Sequence, residues 1–177
     1  NRTDADIALL TPDSVPLANL NQSDIDRIVA NTPGGLANLQ DIYGLSPLQD
    51  GILFHHLMSR QGDPYLLMSQ MAFPDRILLD RYLSAFQAVI DRHDILRTAF
   101  LWEELTEPVQ VVWRKAQLAI TELQLDPSDG PVAEQLRHRF SPRRTQIDLG
   151  TAPLMRIIIA QDPRTKQWVL THLMHHL

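Results

Sequence analysis

Apolar residues recur at helical spacing in some stretches of this chain and at alternate positions in others, which predicts helices interleaved with strands. The clearest helix covers 79–93, where Leu79, Tyr82, Leu83, Phe86, Val89 and Ile90 share one face. A shorter one, 24–31, is capped by Ser23, presents Ile25, Ile28 and Val29, and ends at Pro33-Gly34-Gly35. A third starts with Ser46 as cap and Pro47 at the first helical position, and runs to about Arg60 with Gln49, Ile52, Leu53 and His56 on one side. Pro131 to Phe140 reads as a fourth, short helix. Segments rich in β-branched and aromatic residues predict strands at 65–73, 96–102, 109–113, 119–125, 154–160 and 167–176. Turns at Gly62-Asp63-Pro64 and Asp162-Pro163-Arg164 separate neighbouring elements. This order predicts an α/β fold, a mixed β-sheet with helices packed on it. Residues 1–20 are polar, acidic and interrupted by Pro12 and Pro16, and read as a linker before one domain over 21–177.

Composition narrows the function classes. The 177 residues are 44% hydrophobic and 21% charged, enough for one globular unit with a real core. A net charge of −5 gives no electrostatic footprint for nucleic acid or an anionic membrane. With no cysteine there is no disulfide, thiolate metal site or cysteine nucleophile. No apolar run is long enough to span a bilayer, and the first residues do not resemble a signal peptide, so a cytoplasmic location is expected. Asp13-Ser14-Val15 is rejected as a phosphopantetheine attachment site, because the glycine-rich approach and the following helix are missing.

The chemistry lies in the histidines. Four of the seven fall in two doublets, His55-His56 and His175-His176. Alternation along the last strand puts Trp168, Leu170, His172, Met174 and His176 on one face, and Val169, Thr171, Leu173 and His175 on the other. The two histidines of that doublet therefore point in opposite directions, so one can serve structure while the other faces a cavity. An unperturbed imidazole titrates at about 6.5, which suits proton handling near neutral pH. A metal reading would combine His172 and His176 with His55. No HExxH motif or Cys/His cluster supports it, and no metal is expected. Taken alone, Arg92 and its neighbours fit simple capping of a helix C-terminus.

Order and spacing add more. Ser46-Pro47-Leu48-Gln49-Asp50-Gly51-Ile52-Leu53-Phe54, then Arg92-His93-Asp94-Ile95-Leu96-Arg97-Thr98-Ala99-Phe100, then Met174-His175-His176 resemble three successive signature blocks of nonribosomal peptide synthetase condensation domains. The middle block is similar to RHExLRTxF, with Asp94 in place of the usual glutamate. The last block resembles the start of MHHxxxDG. The stretch His55-His56-Leu57, four residues, then Gly62-Asp63 resembles HH[I/L]xxxxGD, which marks the dual epimerization/condensation subclass known from lipopeptide synthetases.

That resemblance implies a chloramphenicol-acetyltransferase-like fold of two lobes flanking a tunnel, of which 21–177 would be the N-terminal lobe. Residues 1–20 would be the linker that follows a carrier domain. It implies an acyltransferase-type enzyme with no cofactor of its own, acting on substrates carried by phosphopantetheine arms. The expected partners are the upstream and downstream peptidyl carrier domains and the C-terminal lobe of the same domain. His176 would be catalytic, as a general base or by positioning the amine, and His175 mainly structural. His55 and His56 would be implicated in epimerising the peptidyl thioester at Cα before condensation, with Gly62 and Asp63 supporting them. Arg92 or Arg97 would pair with the motif aspartate, which lies beyond Leu177. The 177-residue chain alone is expected to be inactive. Other readings remain: a condensation domain without epimerase activity, a pure epimerization domain, and a non-catalytic carrier-docking lobe.

Overall fold

A computed structural model of the chain describes residues 10–177; residues 1–9, the first part of the segment read as a linker, lie outside the described residues. The rest of that segment is not detached. Leu10, Val15 and Leu20 are buried in the main core, and Pro12–Ser14 forms one tight turn. Their irregular spacing leaves no periodicity to read.

Four α-helices and seven strands follow. Helix α1, Gln22–Asn31, is capped by Asn21 rather than Ser23: the Asn21 side chain accepts the Asp24 N–H while the Asp24 carboxylate accepts the Asn21 N–H. This reciprocal arrangement satisfies two otherwise orphaned donors and starts the helix at Gln22, so that Ser23 falls within its first turn. Strand β1, Leu39–Gly44, is absent from the sequence reading, for a physical reason. Its register shifts between Leu39 and Asp41, so its buried residues Leu39 and Ile42 stand three apart and the period of two is broken. Helix α2, Pro47–Met58, begins as expected, with Ser46 and Gln49 forming the cap between them.

Strand β2 is Leu66–Phe73 and helix α3 is Arg76–Arg92, which starts three residues before the apolar stripe because Asp75 accepts the Leu78 N–H. Strands β3, Thr98–Leu101, and β4, Val109–Trp113, come next, followed by β5, Ile120–Leu123. Residues 96–97, expected as the start of a strand, belong instead to a tight helical turn, Asp94–Arg97. Helix α4, Val132–Arg139, and strands β6, Met155–Gln161, and β7, Trp168–His175, complete the order.

The strands form two sheets rather than one. One is antiparallel, in the order β1-β4-β3; the other is mixed, in the order β2-β7-β6-β5, with β5 parallel to β6. Along β6 and β7 alternate side chains enter two separate cores. Ile157, Ile159 and Leu170 pack with Leu79, Leu83 and Ile90 of α3. Ile158, Ala160, Val169 and Leu173 pack with Leu136 of α4 and Leu53 of α2. Strand β7 is therefore a central strand covered on both faces, and its odd-numbered residues face α2. Among the described residues no helix is long and apolar enough to cross a membrane.

Candidate active site

His175 follows Val169, Thr171 and Leu173 on the α2 side of β7, and there it meets the other doublet. Its Nε2 lies 3.0 Å from Oδ2 of Asp63, and the same oxygen lies 2.5 Å from Nδ1 of His56. The second oxygen of Asp63 accepts the Tyr65 N–H at 2.9 Å. One carboxylate thus ties the end of α2 to the end of β7. The loop that carries it is built for the purpose. Gly62 has φ +68°, and a Cβ there would sit 2.3–2.5 Å from backbone atoms of Pro142 and Arg143, so no other residue fits. The Asp63 N–H donates to the Pro142 carbonyl, and Gln146 donates to the Gly62 carbonyl at 3.0 Å.

Hydrogen bonding fixes protonation states as well as positions. Nδ1 of His175 accepts the Leu177 N–H at 3.1 Å, so the proton of this imidazole sits on Nε2, facing Asp63. Burial pushes His175 below the ordinary histidine range, only partly opposed by Asp63, and keeps it neutral near pH 7. Burial alone would raise Asp63, but the hydrogen bonds from His56 and the Tyr65 N–H outweigh it, and its carboxyl lies below the usual carboxylate range. The His175 side chain is fully buried with both ring nitrogens engaged, which leaves it no route to a substrate. His56 has its Nδ1 committed to Asp63 and a side chain only 10% exposed.

The outward histidines differ. His176 is exposed, its backbone N–H bonds the Tyr65 carbonyl at 2.9 Å, and it lines a cavity of about 290 Å³. That cavity collects all three signature blocks: Gln49 from the first, Leu96, Thr98 and Phe100 from the second, His176 from the third. Gln110, which the sequence reading missed, exchanges hydrogen bonds with Gln49 at 2.9 and 3.1 Å and lines the same cavity. Its polarity inside the otherwise apolar Val109–Trp113 strand was the available signal. His55 is exposed, with its ring 6.1 Å from that of Tyr65.

Of the two candidate arginines, Arg92 is exposed while Arg97 is buried and saturated. Its five donors reach the carbonyls of Trp113, Ile90 and Asp91, the Gln40 amide oxygen and the Asp94 carboxylate. Arg97 locks the C-terminus of α3 to β4 and β1, and Asp94 serves as its charged partner at 2.7 Å. The metal set considered from sequence is not assembled, since His172 packs edge-on to Phe86 of α3 and His55 lies beside Tyr65. The cluster His56, Asp63 and His175 has three potential ligand atoms within 4.8 Å. Its nitrogen–oxygen separations of 2.5 and 3.0 Å suit hydrogen bonds. Two donors on one tetrahedral zinc at about 2.1 Å would stand about 3.4 Å apart.

Residues 39–177 match the condensation-domain family, and the chain belongs to that family. It is 60% identical over 168 residues to malpinin synthetase of Mortierella alpina, a match covering 95% of this chain and 2% of that protein. Malpibaldin synthetase of the same organism is 55% identical over 168 residues, with 95% and 3% covered. The chain thus spans only a small part of these relatives. The crystal structure of a four-domain nonribosomal peptide synthetase bound to AMP and glycine is 16% identical, with a TM-score of 0.61 over 78% of this chain and 10% of that one. The architecture is the chloramphenicol-acetyltransferase-like one of condensation domains.

Proposed function

We propose that residues 21–177 form the N-terminal lobe of a condensation domain in nonribosomal peptide synthesis, of the dual type that epimerises a peptidyl thioester and then extends it. In the first step a base removes the Cα proton, which the thioester acidifies, and a proton returns on the opposite face. In the second, the acceptor's α-amino group attacks the thioester carbonyl. A C–N bond forms, the C–S bond breaks, and the phosphopantetheine thiol leaves with a proton. His176 handles the proton lost by the amine or holds the amine and the charged intermediate in place. Substrates arrive on peptidyl carrier domains from either side, the C-terminal lobe closes the tunnel, and the setting is cytoplasmic.

The observation that carries this reading is the Asp63 carboxylate shared by His56 and His175, because it joins the dual-type motif to the catalytic doublet at one place. Within that motif His55 is the exposed histidine and the candidate for proton exchange at Cα, whereas His56 belongs to the frame.

The test is turnover by the intact condensation domain with an L-configured donor thioester. A D-configured residue at the new linkage is expected. A wholly L product removes the epimerase step and leaves plain condensation. Full product formation by the His176→Ala domain removes catalysis by this histidine and favours a docking lobe.

A further inference from the structure

We infer that Asp63 is a positioning residue that selects one tautomer of His175 and thereby sets the backbone on both sides of His176. This rests on reading His176 as the proton-handling residue, and it deepens that reading.

The end of β7 is held by three N–H groups, each with a different acceptor. His175 donates to the Leu154 carbonyl at 3.0 Å, His176 to the Tyr65 carbonyl at 2.9 Å, and Leu177 to Nδ1 of the His175 ring at 3.1 Å. The first two continue the ladders of β7 with β6 and β2 by one residue, the second through a residue the Asp63 loop places, and the third depends on the His175 ring alone. Tyr65 is placed by its own N–H on Oδ1 of Asp63. The His175 ring can accept from Leu177 only while Nδ1 carries no proton, which requires a proton on Nε2 and an acceptor for it there.

Asp63 supplies that acceptor, and a carboxylate is suited to it because it has no donor of its own. Its Oδ2 also takes the His56 Nδ1–H, so the carboxylate cannot rotate away without losing a second bond. An asparagine at this position would differ by one atom and reverse the logic. Its amide oxygen would stay with the Tyr65 N–H, and its NH2 would face the N–H groups of both histidines. His175 would have to move its proton to Nδ1, directly against the Leu177 N–H. The segment carrying His176 would then lose the one of its three anchors that lies outside the sheet ladders, while every side chain of the catalytic doublet remained. The chain connects a buried carboxylate to an exposed histidine without any contact between them.

The test uses the intact condensation domain labelled with 15N in its histidine rings. In the native domain at neutral pH, Nε2 of His175 should read as protonated and Nδ1 as unprotonated. In Asp63→Asn the two should exchange, and the Leu177 amide should exchange faster with solvent. Turnover should fall by about 100-fold, with KM for the carrier-bound substrates changed by less than about threefold, as expected for a misplacement of about 1 Å. His56→Asn, which keeps an N–H donor where Nδ1 stood, should retain the native His175 tautomer. A proton on Nδ1 in the native domain would overturn the inference, and so would an unchanged tautomer or unchanged turnover in Asp63→Asn. If Asp63→Asn does not fold, the native spectrum alone decides. A native domain that forms no peptide bond would remove the proposed function, whereas the spectra would still judge the tautomer.

Discussion

The two histidine doublets lie in different secondary structures, yet each divides in the same way. On α2, His56 turns inward to Asp63 and His55 outward beside Tyr65; at the end of β7, its last residue His175 turns inward to the same carboxylate and the next, His176, outward to the cavity. On the strand this follows from a period of two. On the helix, neighbours differ by about 100°, and only His56 falls on the buried side with Ile52 and Leu53. A pair of identical residues is therefore two residues with two functions. Identity in the sequence says nothing about which is which, but the periodicity of the element does.

The division can be broken from the inside most severely. Gly62→Ala leaves all four histidines in place but puts a Cβ within 2.5 Å of the Pro142 and Arg143 backbone, at a φ that L residues avoid. It should cost about 4 kcal/mol or more in denaturant unfolding, since neither backbone can yield like a side chain. Next comes His175→Ala, which leaves Asp63 buried with one hydrogen-bonding histidine fewer, and a loss of about 3 kcal/mol is expected. The outward partner should show the opposite profile. His176→Ala should change stability by less than about 0.5 kcal/mol and lower condensation by the intact domain by about 10²- to 10⁴-fold. Equal stability losses in His175→Ala and His176→Ala would erase the distinction.

The sequence makes some of this site legible and hides the rest for definite reasons. Alternation in Trp168 to His176 correctly separates His175 from His176, because β7 is regular up to its last residue. The cap at Ser46 and Pro47 is equally plain, because capping is a local interaction over four residues. Asp63 could be placed in a motif but not given a partner, as its bond to His175 spans 112 residues. Arg97 looked like a candidate for the catalytic loop. Its five partners come from α3, β1, β4 and the turn between α3 and β3, a convergence no local pattern encodes. The bulge in β1 and the split into two sheets were hidden in the same way, since pairing partners are set by tertiary packing rather than by the period of a single strand.

The smallest effect tests burial itself and reaches across both faces of β7. His175 faces α2 and His172 faces α3, where its ring stands nearly perpendicular to that of Phe86 and its Nε2 is buried without a hydrogen-bond partner. Burial lowers both below the ordinary histidine range. Above about pH 6.5 both are neutral in the folded and unfolded chain and add no pH dependence. As the pH falls below that value, the unfolded chain takes up protons that the folded chain refuses, so stability declines until the depressed folded values are reached. Each group contributes a slope of at most about 1.4 kcal/mol per pH unit. Asp63 acts in a separate window, its contribution being kept above about pH 4 and lost only as the pH falls through its depressed folded value. Denaturant midpoints measured from about pH 7.5 to about pH 5.5 should therefore decline, and His172→Leu should remove roughly half of that slope. A native profile that stays flat across this range would mean that the inward histidines accept protons in place, and that the frame around Asp63 tolerates a charge its geometry leaves no room for.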